Sequence, residues 1–358
     1  STGDMVFICD NVKKRVPGSS MYTVYTDDDG NTTGEDFKGE NLITGTIKGV
    51  AENRTPTVYF LSGHGEKSLD SYTKFTTNLT NYNYTAKELN LSETDSVPDD
   101  AALVLVAAPS KDITDAEAEK LNAYLDNGGN ISLLMSPNGG AFAYTNLEAI
   151  MKDYGFYMDY DRVSETNSNY HISGDKYTIQ CELNELDDDS EATDLTSSLL
   201  NQGLYTFMPE SRSFRYNDEG GKYTIAPLIT TYDSAEGEPY GGISDDPEKQ
   251  SGQMLLAADS TSIARNDSKM VVFGNAEFID DEHVSDDTVI VPVYLFLSTI
   301  SWMYDSDIDM EISTKSTTND YISLQDAGFA KGLMVVLTVI PVAIMAAGIG
   351  IWIKRRNS

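Results

Sequence analysis

Residues 97–134 read VPDDAALVLVAAPSKDITDAEAEKLNAYLDNGGNISLL, and the order of patterns within them decides the fold. The apolar run from Ala102 to Ala107 reads as a buried strand. Thr114 and Glu117 then form a capping box, Leu121 and Leu125 supply an apolar helical face, and Gly128 offers a left-handed stop. A helix over Asp115–Asn127 follows, and a second strand runs from Asn130 to Met135. Strand, helix, strand at this spacing is the unit of a mainly parallel sheet with helices on its faces.

The same texture extends outward in both directions. Upstream, Val58 to Ser62 reads as a strand, with a weaker helical pattern near Asp70 to Asn81. Downstream, a second capping box, Thr145 with Glu148, opens a helix that Gly155 closes. From Phe156 to about Gln250 the sequence turns Tyr-, Thr-, Asp- and Gly-rich, with β-like runs such as KYTIQCEL and KYTIAPLITTY. Its acidic stretches, Leu186–Ser190 and EGEPYGG from Glu236, read as solvated turns. Buried-strand character returns at Gln253–Ala258 and Lys269–Gly274, followed by an apolar helix from Val289 to Tyr304. The expected architecture is therefore an α/β domain over residues 1–155 and 251–304, with a β-rich lobe inserted over 156–250.

A different composition begins after residue 330. The 22 residues from Gly332 to Ile353 contain no charge, enough at 1.5 Å per residue to cross a hydrocarbon core of about 30 Å. Pro341 interrupts this run without forbidding a transmembrane helix, and Trp352 stands near its end. Lys331 lies on one side and Lys354, Arg355 and Arg356 on the other, so the tail at 354–358 is expected in the cytoplasm and the bulk outside it. Residues 305–330 would then be a juxtamembrane connector. The opening STGDMVFICDNVKK carries no signal of its own, so a fragment lacking an upstream export element is expected.

Charge agrees with that orientation. The chain holds 57 acidic and 25 basic residues among 358, a net −32, and setting aside Lys331, Lys354, Arg355 and Arg356 leaves −36 on the other side of the span. Nucleic acid is excluded as a partner, because phosphate backbones require a positive docking surface. Two cysteines, Cys9 and Cys181, are too few for a disulfide scaffold.

In open α/β sheets ligands meet the crevice at the carboxyl ends of the strands. Four polar or glycine-rich loops follow strands here: Ser62–Glu66, Pro109–Asp112, Ser136–Gly140 and Gly274–Phe278. Together they offer a candidate ligand cleft of His64, Glu66, Ser110, Asp112, Asn138, Asn275 and Glu277. His64 between two glycines could present its imidazole to a ligand, or it could belong to a tight strand-to-helix turn that bonds local groups. A Ser-His-acid set drawn from Ser110 or Ser136 with His64 and Glu66 is the enzymatic alternative. No G-x-S-x-G elbow or P-loop is present, and the three histidines lack metal-site spacing, so no catalytic residue, metal site or cofactor is expected. Asp27–Asn31 imitates a calcium loop superficially, with the glycine misplaced and Lys38 where the closing Glu should stand.

Several ordered segments resemble the GldG-like family of auxiliary ABC-transporter components, named for a gliding-motility protein. They are ENLITGTIKGV (Glu40–Val50), PTVYFLSGHGE (Pro56–Glu66), the 97–134 segment, KMVVFGNAEFI (Lys269–Ile279), VYLFLSTISWM (Val293–Met303) and the span ending WIKRRN. The resemblance covers most of residues 40–356 and is weakest over 156–250. It implies an extracytoplasmic domain similar to class I glutamine amidotransferase-like or flavodoxin-like folds, non-catalytic, tethered in the lipid bilayer beside an ABC permease and its ATPase. Other functions kept in view are a surface hydrolase or amidotransferase-like enzyme and a structural adhesion or motility module.

Overall fold

A computed structural model describes residues 4–10, 12–16, 18–26, 32–37, 39–52, 55–186, 192–200, 205–217, 221–242, 250–284, 287–304 and 315–316. The expected connector and the expected span, with Lys331, Pro341, Trp352, Lys354, Arg355 and Arg356, lie outside these residues, as does Asp27–Asn31. Among the described residues no helix is long and apolar enough to cross a membrane. The chain forms two compact units, one of Ser1–Thr23 with Phe37–Lys315 and one of Val24–Asp36 with Ser316–Ser358. The second is described over a few strand residues.

The first unit opens with a hairpin of β1 (Met5–Cys9) and β2 (Val12–Val16), followed by α1 (Gly39–Glu52). A regular series then runs β3 (Thr57–Leu61), α2 (Thr73–Asn81), β4 (Thr85–Leu89), β5 (Ala101–Ala107), α3 (Asp115–Asp126), β6 (Ile131–Leu134) and α4 (Thr145–Lys152). Beyond it come β7 (Asp175–Leu183), β8 (Tyr223–Thr230), β9 (Leu255–Ser262), β10 (Ser268–Phe273) and α5 (Ile290–Met303).

One large sheet collects most of these strands in the order β7-β8-β9-β10-β6-β5-β3-β4. From β10 to β4 every neighbour is parallel, and in chain order those five strands stand 2-1-3-4-5 counted from β4. From β10 to β7 every neighbour is antiparallel. The sheet is thus mixed rather than mainly parallel. The described part of residues 156–250 contains many strands, and the long strands β7 and β8 extend the central sheet within the same compact unit. A smaller sheet pairs Asp161–Glu165 with Ala235–Pro239, so the EGEP stretch expected as a turn is a strand.

Both faces of β3, β5, β6 and β10 are buried, which is why these strands read as apolar runs, whereas the edge strand β4 is partly exposed. Successive residues of β5 alternate between two cores: Leu103 and Leu105 pack with α2 and α5, while Val104 and Val106 pack with α3 and α4. On the first face Phe296 of α5 meets the rings of Phe75, Phe273 and Phe278 at centroid separations of 5.6, 5.6 and 5.9 Å. Apolar around its circumference, α5 is buried along nearly its whole length. On the second face Leu121 and Leu125 of α3 and Leu147, Ile150 and Met151 of α4 are all buried.

Helix ends follow local chemistry in one case and tertiary chemistry in the other. The Thr114–Glu117 capping box is formed, with both reciprocal bonds present. The expected Thr145–Glu148 box is not: Thr145 is already helical, and the Glu148 carboxylate accepts the Tyr160 hydroxyl instead. The orphan amides of Asn146 and Leu147 are satisfied from a distant loop by Asp112, at 2.7 and 3.3 Å.

Candidate functional site

The strand order reverses between β3 and β5, and in such sheets this point is where a crevice opens. Here hydrogen bonds join the loops that follow the two strands. The main-chain oxygen of His64 accepts from the amides of Ser110 and Lys111 at 2.9 and 3.1 Å and from the Ser110 hydroxyl at 3.2 Å. Gly65 lies so close to this loop that a Cβ there would stand 1.8 Å from Ser110 Oγ, and its φ of +87° is one that side-chain-bearing residues rarely adopt. Glycine at 65 is therefore what lets the two loops zip together.

The His64 side chain is 3% exposed and fully engaged. Its Nδ1 lies 3.3 Å from Glu66 Oε1 and its Nε2 3.1 Å from Glu117 Oε2, while the His64 amide donates to Glu66 Oε2 at 2.7 Å. With a carboxylate at each ring nitrogen, the arrangement calls for the doubly protonated imidazolium. The Glu66 hydrogen bond raises the His64 pKa above its ordinary value, burial opposes that, and Glu117 adds to the rise. At Glu117 burial disfavours the charge, but the Thr114 hydroxyl and amide and the His64 ring outweigh it and hold the carboxyl below its usual range. An imidazolium clamped this way ties the β3 loop to the start of α3 and has no free nitrogen to act as a base.

Tyr144 seals the same edge. It is 1% exposed; its hydroxyl donates to Pro109 O at 2.6 Å and accepts from Asn138 Nδ2 at 3.4 Å, and its amide donates to the Tyr160 hydroxyl at 2.7 Å. Asn138 also accepts from the Gly140 amide at 2.9 Å, which fixes its own loop.

The ends of β6 and β10 are joined through Ser136, whose Oγ accepts from the Ala276 amide at 3.0 Å. Fully buried Asn275 donates to Glu210 O at 2.6 Å and accepts from the Glu277 amide. Arg212, with no accessible surface, is held there by its amide on Gly274 O and by Nη2 on Ser136 O, both at 2.9 Å.

Glu277 borders a cavity among the described residues. That cavity measures about 310 Å³ and is lined among others by Asp175, Tyr177, Glu210, Glu277 and His283. Burial raises the Glu277 carboxyl above its usual range. On its flank Arg162 stacks 3.4 Å over the Tyr177 ring and pairs with Glu210 at 2.7 Å. Asp280, Glu282 and His283 bring three potential ligand atoms within 4.8 Å of one another, but the Asp280 carboxylate already takes Lys67 at 2.6 Å and His283 at 2.8 Å.

The four loops are tied to one another and to neighbouring elements by these bonds. His64 and Glu66 form a clamp, Ser110 a loop tie, Asp112 a helix cap, and Asn138 and Asn275 loop anchors; none of these six lines the cavity at Glu277. The serine set is not assembled either, since Ser110 bonds the His64 carbonyl and Ser136 an amide, and neither reaches the imidazole. Cys9 and Cys181 are both free thiols. Sequence reasoning passes over Tyr144, Tyr160 and Arg212, which stand alone between local motifs, and assigns Glu117 only its capping role.

The family described as ABC-type uncharacterized transport system matches over residues 55–292. No curated protein matches the chain. Among solved structures, the mmIFT52 N-terminal domain is similar with a TM-score of 0.51 at 16% identity, over 70% of this chain and 99% of that one; at such identity the likeness concerns fold alone. Two further similarities carry no argument: a putative GMP synthase component from Thermoplasma acidophilum (TM-score 0.34, 7% identity, 70% and 96% coverage) and the exo-β-1,4-mannosidase Op5Man5 from Opitutaceae bacterium strain TAV5 (0.34, 8%, 78% and 40%).

Proposed function

The chain belongs to the ABC-type transport system family, as an auxiliary component, and from that premise we propose that it acts as a non-catalytic accessory subunit. Within the family it is of the GldG-like kind. Its domain, flavodoxin-like in strand order, stands outside the cytoplasm, recognises a ligand or partner, and is docked to the permease by the helix at 332–353. The family match carries this reading.

The site geometry favours a binding or coupling role over catalysis. The residues of the enzymatic alternative are spent on internal bonds: His64 lacks a free nitrogen and neither nearby serine faces it. Any signal to the ATPase must pass through the membrane helices, and ligand or partner must bind one arrangement of the domain better than another, since equal binding shifts nothing.

Purification of the full-length protein from its native membrane in mild detergent tests the assignment. Co-recovery of an ABC permease and its ATPase is expected; recovery without either overturns it. Protease added to intact cells is expected to cleave the domain, and complete protection would remove the proposed topology.

A further inference from the structure

The cavity beside Glu277 lies between the loop that follows β10 and the start of β7, and its wall is mixed. Ile172, Pro209 and Val289 give it apolar surface, while Asp175, Glu210 and Glu277 are its acidic residues. Its volume, about 310 Å³, falls at the small end of the range that ligand sites occupy. The loop after β10 stands at the carboxyl edge of the parallel strands, where sheets of this kind receive ligands.

Two of the three acids have work within the fold. Asp175 accepts from the Tyr177 amide and the Thr178 hydroxyl at 3.0 and 2.6 Å; burial disfavours its charge, but these bonds outweigh it and hold the carboxyl below its usual range. Glu210 pairs with Arg162. Glu277 differs: half-buried, its carboxylate has no hydrogen bond or ion pair with any described residue. The neighbouring basic groups, Lys67 and His283, are both bonded to Asp280. A carboxylate partly withdrawn from water and left without a partner carries a desolvation cost that a cation beside it would offset.

The wall does not suit a bare metal ion. Among the described residues, the acidic and histidine ligand atoms gathered within 4.8 Å of one another belong to Asp280, Glu282 and His283. Asp175, Glu210 and Glu277 are therefore spread around the cavity, too far apart to close jointly on one ion, which needs several oxygens at about 2.0–2.6 Å. We propose that this cavity binds a small organic cation of the alkylamine class, its ammonium on Glu277 and its hydrocarbon body against Ile172, Pro209 and Val289. The charge follows from three carboxylates set against the single guanidinium of Arg162 on the flank. The size follows from the volume, which at the roughly 30 Å³ a water molecule occupies admits about ten non-hydrogen atoms. As the ligand of an accessory subunit this amine rests on the function proposed above; its binding to the cavity does not.

The test titrates the full chain, purified in mild detergent into an amine-free buffer, with butylamine, 1,4-diaminobutane, 1-butanol and magnesium or calcium chloride at constant ionic strength. Calorimetry is expected to show saturable binding of at least one of the two amines at a single site and none of 1-butanol, which has the hydrocarbon without the charge. Glu277→Gln keeps the shape of the side chain and should weaken amine binding at least about tenfold, because the charge-assisted bond is lost. Asp175→Asn, which retains an acceptor for its own turn, should weaken it less. Absence of saturable amine binding, equal binding of 1-butanol, or undiminished binding in Glu277→Gln each overturns the proposal. Magnesium or calcium binding that depends on Glu277 and displaces the amine would also overturn it, in favour of a metal site. None of these results alters co-recovery of the permease, so the two readings fail separately.

Discussion

Two stretches of the same sheet edge solve the problem of a buried cation in opposite ways. At the end of β3, His64 is enclosed between Glu66 and Glu117 with both ring nitrogens engaged. At the ends of β6 and β10, Arg212 is equally enclosed with two of its three nitrogens unpartnered. The lesson is that position at the carboxyl edge does not make a residue functional. What separates the two cations is whether their buried polar atoms are satisfied.

Substitutions can break that contrast. The largest effect is expected from His64→Ala, which strips the counter-charge from two enclosed carboxylates and should cost about 3–5 kcal/mol. Thermal or denaturant unfolding of the full chain in detergent measures it. The pH dependence has a definite sign. Because the folded pKa of His64 is raised, its contribution is complete below the ordinary histidine value, near 6.5, and is lost as pH rises through the higher folded value. The unaltered chain should weaken across that window and the alanine variant should not; parallel pH profiles would show that the clamp is uncharged.

A smaller loss, about 1–2 kcal/mol, is expected for Asp112→Ala, which frees the first amides of α4. Asp112→Asn should retain most of that stability, since an acceptor remains. Arg212→Met sharpens the comparison most directly. It should shift stability by less than about 1 kcal/mol, or raise it, because an uncompensated charge is replaced by an apolar chain of similar reach. A loss as large as that of His64→Ala would place both cations in the same category.

Glu277→Gln should give the smallest change, a gain of about a few tenths of a kcal/mol at neutral pH for this half-buried group. Burial raises its folded pKa, so the native state binds more protons than the unfolded one above the ordinary carboxyl value. Stability then declines as pH rises from there to the folded value. The glutamine variant should lack that decline, and an unchanged acid-range profile would count against the assignment.

Much of the parallel half is legible in the sequence because its signals are local. The apolar runs of β3, β5 and β6, the capping box and apolar face of α3 and the weaker helical pattern of α2 each fall within a few residues of where the structure has them. Signals that are not local escape such a reading. Helix α1 contains Gly39, Gly45 and Gly49, poor helix formers, and its sequence does not announce a helix. A Cβ at Gly45 or Gly49 would stand 2.5 or 2.2 Å from residues Asn81 and Asn83, so these glycines serve close packing that no periodicity reveals. At the site, the loops can be found by their place after strands, but their roles cannot. Asp112 caps a helix 34 residues away, and no spacing rule links the two.

The chain's own pattern determined where buried strands and helices form, because burial on one or two faces imposes a period on neighbouring residues. It also determined a strongly acidic surface and a long uncharged tail, since both are sums over composition. Only the tertiary structure decided that the sheet is mixed, that the loops after β3 and β5 are bonded to each other, and that His64 is paired while two nitrogens of Arg212 are not. Hydrogen bonds and charge pairs act over about 3 Å in space whatever the separation along the chain, so which polar atoms are satisfied depends on the assembled fold.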